Sequence, residues 1–248
     1  MLRAEVRKLK RSATWLVAFV LPVLAIVTGT VNLANNPQAL GRDWASLASQ
    51  TTLFYGLFFC AMGVALLCAT AWRTEHRGSN WQAMLLTARS PLRLVTAKLF
   101  AIMLPVAAMQ AVLVLGTIAA GVLVLGLTGP PPSSLVLSGA AAVLAALPLA
   151  AAQSLLSMLM RSFAAPLALC LLGCVLGIGT ILSDRLRPFG LLVPQALLSR
   201  TLTLDSVALT DPAAAGAAEL LPLLGASLGS SLLLLACQMA AVRIVVLR

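Results

Sequence analysis

The sequence predicts an all-α polytopic membrane protein with six transmembrane helices, and three observations carry that expectation. Of the 248 residues, 60% are hydrophobic and only 10% are charged, more apolar surface than a water-soluble domain can hide. Uncharged stretches of about 20 residues, enough to cross a bilayer core as a helix, recur along the chain. The cations gather between those stretches.

The elements follow in order. Residues 1–12 place Leu2, Val6 and Leu9 on one helical stripe and Arg3, Arg7 and Lys10 on another, the pattern of a helix lying in the membrane interface. The apolar run behind this basic start is expected to be an anchor, because no small-x-small cleavage pattern follows it. Ser12–Gly41 and Trp44–Trp72 contain no Asp, Glu, Lys or Arg and supply spans one and two, at about 13–31 and 52–72. Leu99–Met160 is uncharged throughout, but Thr128–Ser134 reads TGPPPSS. Consecutive prolines remove donors and block helical geometry. Two spans result, at about 99–127 and 135–159. Spans five and six fall at about 164–183 and 220–242, with an outer segment at 184–219. All belong to a single transmembrane domain.

Lys and Arg sort the loops, since cationic loops stay cytoplasmic. With the N-terminus inside, only Arg42, Arg185, Arg187 and Arg200 of the seventeen face outward, and six spans return the C-terminus to the cytoplasm. This topology accounts for the net charge of +10 without nucleic acid, which is not expected as a partner. Cys60, Cys68, Cys170, Cys174 and Cys237 all fall inside spans and read as small hydrophobes.

The chemistry expected of an enzyme or an ion pump is missing. No ionisable residue falls within a predicted span, the single histidine, His76, reads as a surface residue, and no glycine-rich phosphate loop precedes a lysine. No catalytic residue, cofactor or metal is expected on this chain. The polar groups within spans, among them Asn32, Gln50, Thr51, Thr52, Gln110, Gln153, Ser154, Ser157, Ser227, Ser230, Ser231 and Gln238, are expected to hydrogen-bond between helices at about 1 kcal/mol or less each. Gly173–Gly177 and Gly225–Gly229 are small-xxx-small patterns that permit close helix approach.

Residues 73–98 break the apolar pattern with five cations. Ser79-Asn80-Trp81-Gln82 fits a capping box and starts a short helix over 79–89. Pro91 ends it and, with Ser90 as N-cap, opens span three. Trp81, Met84, Leu85 and Ala88 form one apolar stripe, with Gln82 and Arg89 off it. From the residues alone, a helix resting on headgroups and a knob seated in a partner's groove fit equally. Glu75, among Arg73, Arg77 and the later cations at the membrane edge, reads by position as a solvated ion pair worth under about 1 kcal/mol.

The basic run Leu2–Ser12, together with Glu75-His-Arg-Gly78-Ser79-Asn-Trp81-Gln82-Ala-Met84-Leu85-Leu-Thr-Ala-Arg89-Ser-Pro91 and then Lys98, resembles the permease subunits of type-2 ABC transporters, most of all the lantibiotic-immunity and bacitracin-resistance branch. The resemblance covers the whole six-span layout. It implies a multi-pass permease in the cytoplasmic membrane of a bacterium, paired with a second permease chain, the same or similar. Two copies of a separate ATPase subunit would carry ATP and magnesium. It implies that 79–89 is a coupling helix contacting the ATPase through Glu75, Gly78, Ser79, Trp81, Gln82, Met84, Leu85 and Arg89, with Glu75 tying span two to that helix. It also implies short outer helices between spans five and six, and outward movement of a hydrophobic or amphipathic substrate. A membrane assembly or scaffold subunit that moves nothing is the alternative from a different class.

Overall fold

The computed structural model describes residues 2–9, 13–76, 90–204 and 217–246. Every regular element among them is helical. The N-terminal helix Leu2–Leu9 precedes span one, Thr14–Asn35, and a single turn at Pro37–Leu40 leads to span two. Span two is longer than its predicted 52–72. Asp43, in extended backbone, accepts a hydrogen bond from the Ser46 amide at 2.7 Å and caps a helix that continues to Arg73. Its course is Trp44–Phe54, then a π-helical turn Tyr55–Phe59, then Cys60–Arg73. Span three is Pro91–Leu123, starting at the expected Ser90 and Pro91 signal, eight residues before the uncharged run at 99.

Span four divides into Ser133–Ala145 and Leu147–Leu159 at a break beside Pro148, whose missing N–H interrupts the helical ladder. Span five is Ala164–Leu182. A 3₁₀ turn Arg187–Leu191 and a short helix Pro194–Leu202 follow, and span six is Ala217–Val246. Six of these helices are long and apolar enough to cross a membrane.

Span one packs on spans two and three, the second half of span two on span four, and span six on span four. The largest core cluster runs between spans one to five through Ile26, Tyr55, Ile102, Met109, Leu149 and Cys170. Gly29 allows the closest approach of spans one and two, since a Cβ there would come within 2.9 Å of Thr51 backbone.

The segment between spans five and six forms short helices, and Pro194–Leu202 is built into the bundle. Gln195–Ser199 and Thr201–Leu202 are all buried, and the helix is wedged against spans four, five and six and the π turn. Gly173 and Gly177 make room for it: a Cβ at Gly173 would collide with the Gln195 side chain, and one at Gly177 would meet the Ala196 amide nitrogen at 3.3 Å. The first small-xxx-small pattern is thus used within the chain, whereas nothing described lies within 4 Å of a Cβ at Gly225 or Gly229. Ser199 Oγ donates to the Gly56 carbonyl at 2.6 Å, tying the wedge to the π turn, where i→i−4 bonding is interrupted. Arg200 donates to the carbonyls of Thr180 and Arg187, both at 2.9 Å.

The polar side chains inside the spans divide their bonds differently from expectation. Asn32 donates to Gln50 at 2.8 Å, and the Gln110 amide to the Tyr55 hydroxyl at 3.2 Å, so these do join helices. Thr51, Thr52, Ser227, Ser230 and Ser231 instead donate to carbonyls four residues earlier in their own helices. A hydroxyl on a short stem reaches its own helix before a neighbour's. Four cysteines are buried as expected, but Cys237 is exposed on span six.

Candidate functional site

Span two ends at Arg73, and the Glu75 and His76 amides donate back to the Trp72 carbonyl. Span three begins at Ser90, whose backbone is extended and whose Oγ accepts from the Arg93 amide at 3.3 Å, with Pro91 in the first turn. The chain leaves and re-enters the described structure at these two points. Of the predicted contact residues only Glu75 is placed. Gly78, Ser79, Trp81, Gln82, Met84, Leu85 and Arg89, with the whole coupling helix 79–89, lie outside the described residues.

Glu75 is not a solvated ion pair. It is 3% exposed, and its Oε1 accepts from Lys98 Nζ at 3.0 Å and from Lys8 Nζ at 2.7 Å. Lys98, 1% exposed, also donates to Glu5 Oε2 at 3.2 Å and to the Ala71 carbonyl at 3.1 Å, and its ammonium lies 4.8 Å from the centre of the Trp72 ring. Lys8 closes the set with a 2.8 Å bond to Glu5. Two carboxylates and two ammonium groups therefore balance in charge while joining three elements: the N-terminal helix, the foot of span two and the foot of span three. Burial pushes the Glu75 carboxyl up, but the neighbouring Lys98 and Lys8 ammonium groups outweigh it and hold the group below its ordinary value. Partial burial pulls Lys8 down, and its bonds to Glu5 and Glu75 more than compensate, leaving it raised.

A buried lysine is expensive unless paired. Here pairing is complete enough that the cluster works as a clasp across the segment 76–90. The partners of Glu75 are thus Lys98, one of the later cations that the sequence set around it with Arg73 and Arg77, and Lys8, which lies outside that group. Lys98, expected just before span three, is inside its helix. The signal for it was present: Leu94, Val95 and Ile102 are each 1% exposed and share the face of Lys98 at helical spacing, so this cation falls on the inward stripe. Glu5 and Lys8 sit one turn apart on a helix whose packing against span three only the tertiary structure supplies.

His76 also departs from its surface reading. It is half-buried, and its Nε2 lies 2.8 Å from the Ser157 carbonyl, linking the foot of span two to that of span four. Beside it, Trp72 Nε1 donates to Ser154 Oγ at 2.6 Å within the core.

Six apolar helices around a packed core, with the ion pairs among the described residues collected at one foot of the bundle, define a polytopic membrane subunit. The family model described as ABC-2 family transporter protein matches residues 1–177, and the chain belongs to that family, the membrane components of ABC transporters. The matched range takes in the N-terminal helix, spans one to four, the charged clasp and most of span five. No curated protein and no solved structure matches the chain.

Proposed function

We propose that the chain is the permease of an ATP-driven exporter that moves a hydrophobic or amphipathic substrate outward, of the lantibiotic-immunity and bacitracin-resistance kind. In this reading two copies of a separate ATPase, which bind ATP and magnesium, seat on the coupling helix 79–89. A second permease chain, the same or similar, completes the path, and both termini face the cytoplasm of a bacterium. The observation that carries the reading is the clasp of Glu75, Lys98, Lys8 and Glu5. It fastens both ends of the 76–90 segment to each other and to the N-terminal helix, so a push on that segment reaches spans two and three together instead of being lost in loose loop ends. Family membership adds the expectation of an ATPase partner. The test is co-purification of the chain with its ATPase, followed by substrate-stimulated ATP hydrolysis in vesicles. A complex that forms without any ATPase, or whose hydrolysis ignores every amphipathic substrate offered, overturns it.

A further inference from the structure

On the side of span two's foot facing spans four and five lies a cavity of about 210 Å³ lined by Arg73, His76, Ser157, Arg161, Ser162 and Phe163. It is larger than the ~30 Å³ that one water occupies. Among the described residues the ion pairs all belong to the Glu5–Glu75 clasp, so no carboxylate is in contact with Arg73 or Arg161. The Arg73 guanidinium is placed over the Phe163 ring at 5.2 Å from its centre. Ser157 is 3% exposed, and its hydroxyl has no partner among the described residues although its carbonyl is engaged by His76. Span five starts here as well. Ser162 Oγ accepts from the Ala165 amide at 3.3 Å, and a helix N-terminus carries partial positive charge.

Two guanidinium groups with no acid on them among the described residues, an unsatisfied buried hydroxyl and a helix start together suit an oxyanion. Guanidinium forks match phosphate oxygens in pairs. The cavity also sits where spans two and four end and span five begins, which is the depth of lipid headgroups, and basic pockets between membrane helices are suited to anionic lipid phosphates. We propose that this cavity binds a phosphate group, gripped by Arg73 and Arg161 and accepting a hydrogen bond from Ser157 Oγ. The phosphate comes either from an anionic lipid headgroup or from a soluble phosphate. The proposal stands apart from the transport reading and uses residues outside the clasp.

The full chain, purified in neutral detergent, is offered phosphatidylglycerol against phosphatidylcholine in one arm and millimolar inorganic phosphate in the other. Lipid retention is read by native mass spectrometry and stabilisation by thermal melting. The expected result is that wild type prefers phosphatidylglycerol by about tenfold, that R73Q/R161Q loses the preference, and that S157A weakens it by about threefold. R185Q, which matches the charge change of R161Q at the opposite end of span five, keeps it. A melting shift with inorganic phosphate that R73Q/R161Q abolishes supports the site with a soluble source. If the double variant is not recovered folded, R161Q and S157A answer alone. Equal lipid retention and equal melting shifts in wild type, R161Q and S157A overturn the proposal.

Discussion

Glu75 and Lys98, 23 positions apart, meet at 3.0 Å where both side chains are almost wholly buried, and Lys8 reaches the same carboxylate oxygen from a third helix. Removing one member of a buried pair strands the other. Glu75→Gln is expected to lower stability by roughly 3 kcal/mol or less, below the usual upper range because Glu5 stays beside Lys98. The double variant Glu75→Leu/Lys98→Met leaves Glu5 and Lys8 balanced and should melt within about 1 kcal/mol of wild type. Thermal melting of the purified chain checks both. Substrate-stimulated ATP hydrolysis by the complex then separates roles: a stable double variant that still couples normally would make the clasp a fold element only.

Glu75 and Lys8 set a pH window. The Glu75 carboxyl is depressed, so its contribution is present above its ordinary value of 4.5 and is lost as pH falls through the lower folded value. Lys8 is raised, so its contribution is complete below 10.5 and is lost as pH rises beyond that. Melting temperature should therefore be flat between those limits as far as these groups are concerned and fall on the acid side. Glu75→Gln should reduce the acid fall measurably. Identical acid limbs in the two proteins would show that other carboxylates govern it.

The coupling role of 79–89 is tested at Trp81. If the stripe rests on lipid, Trp81→Ala removes one belt contact from a helix anchored at both ends, and the complex survives. If it docks in a protein groove, truncating a central aromatic costs about 2 kcal/mol or more, roughly thirtyfold in affinity. Leu85→Ala, on the same stripe, should deepen the loss, while Gln82→Ala removes mainly a cap worth about 1 kcal/mol. ATPase recovered per permease in detergent is the measure. Full recovery with both Trp81 and Leu85 truncated would remove the coupling role.

Orientation is tested by labelling. In a version without native cysteines, single cysteines at Ala83 and Pro131 should differ on whole cells treated with an impermeant thiol reagent. Pro131 should react and Ala83 should not, and the reverse pattern would invert the topology.

The six apolar spans, the break at the prolines before Ser133 and the start of span three at Ser90 and Pro91 were all legible in the chain. Each depends on residues near one another: an apolar run long enough for a bilayer, a proline that ends a ladder, a serine that caps the next one. Hydropathy, however, averages over a helix and is silent about which side of it meets which neighbour. The sequence therefore counted Lys98 among the loop cations, put His76 on the surface and gave no sign that a short helix within 184–219 packs into the core. Only the tertiary structure brought Lys8 to Glu75 across 67 residues and Glu5 to Lys98 across 93. It also slid Pro194–Leu202 into the room left at Gly173 and Gly177. The physical reason is the same in each case: a buried charge or a close backbone approach is stable only when a distant segment arrives to complete it, and no local pattern records that arrival.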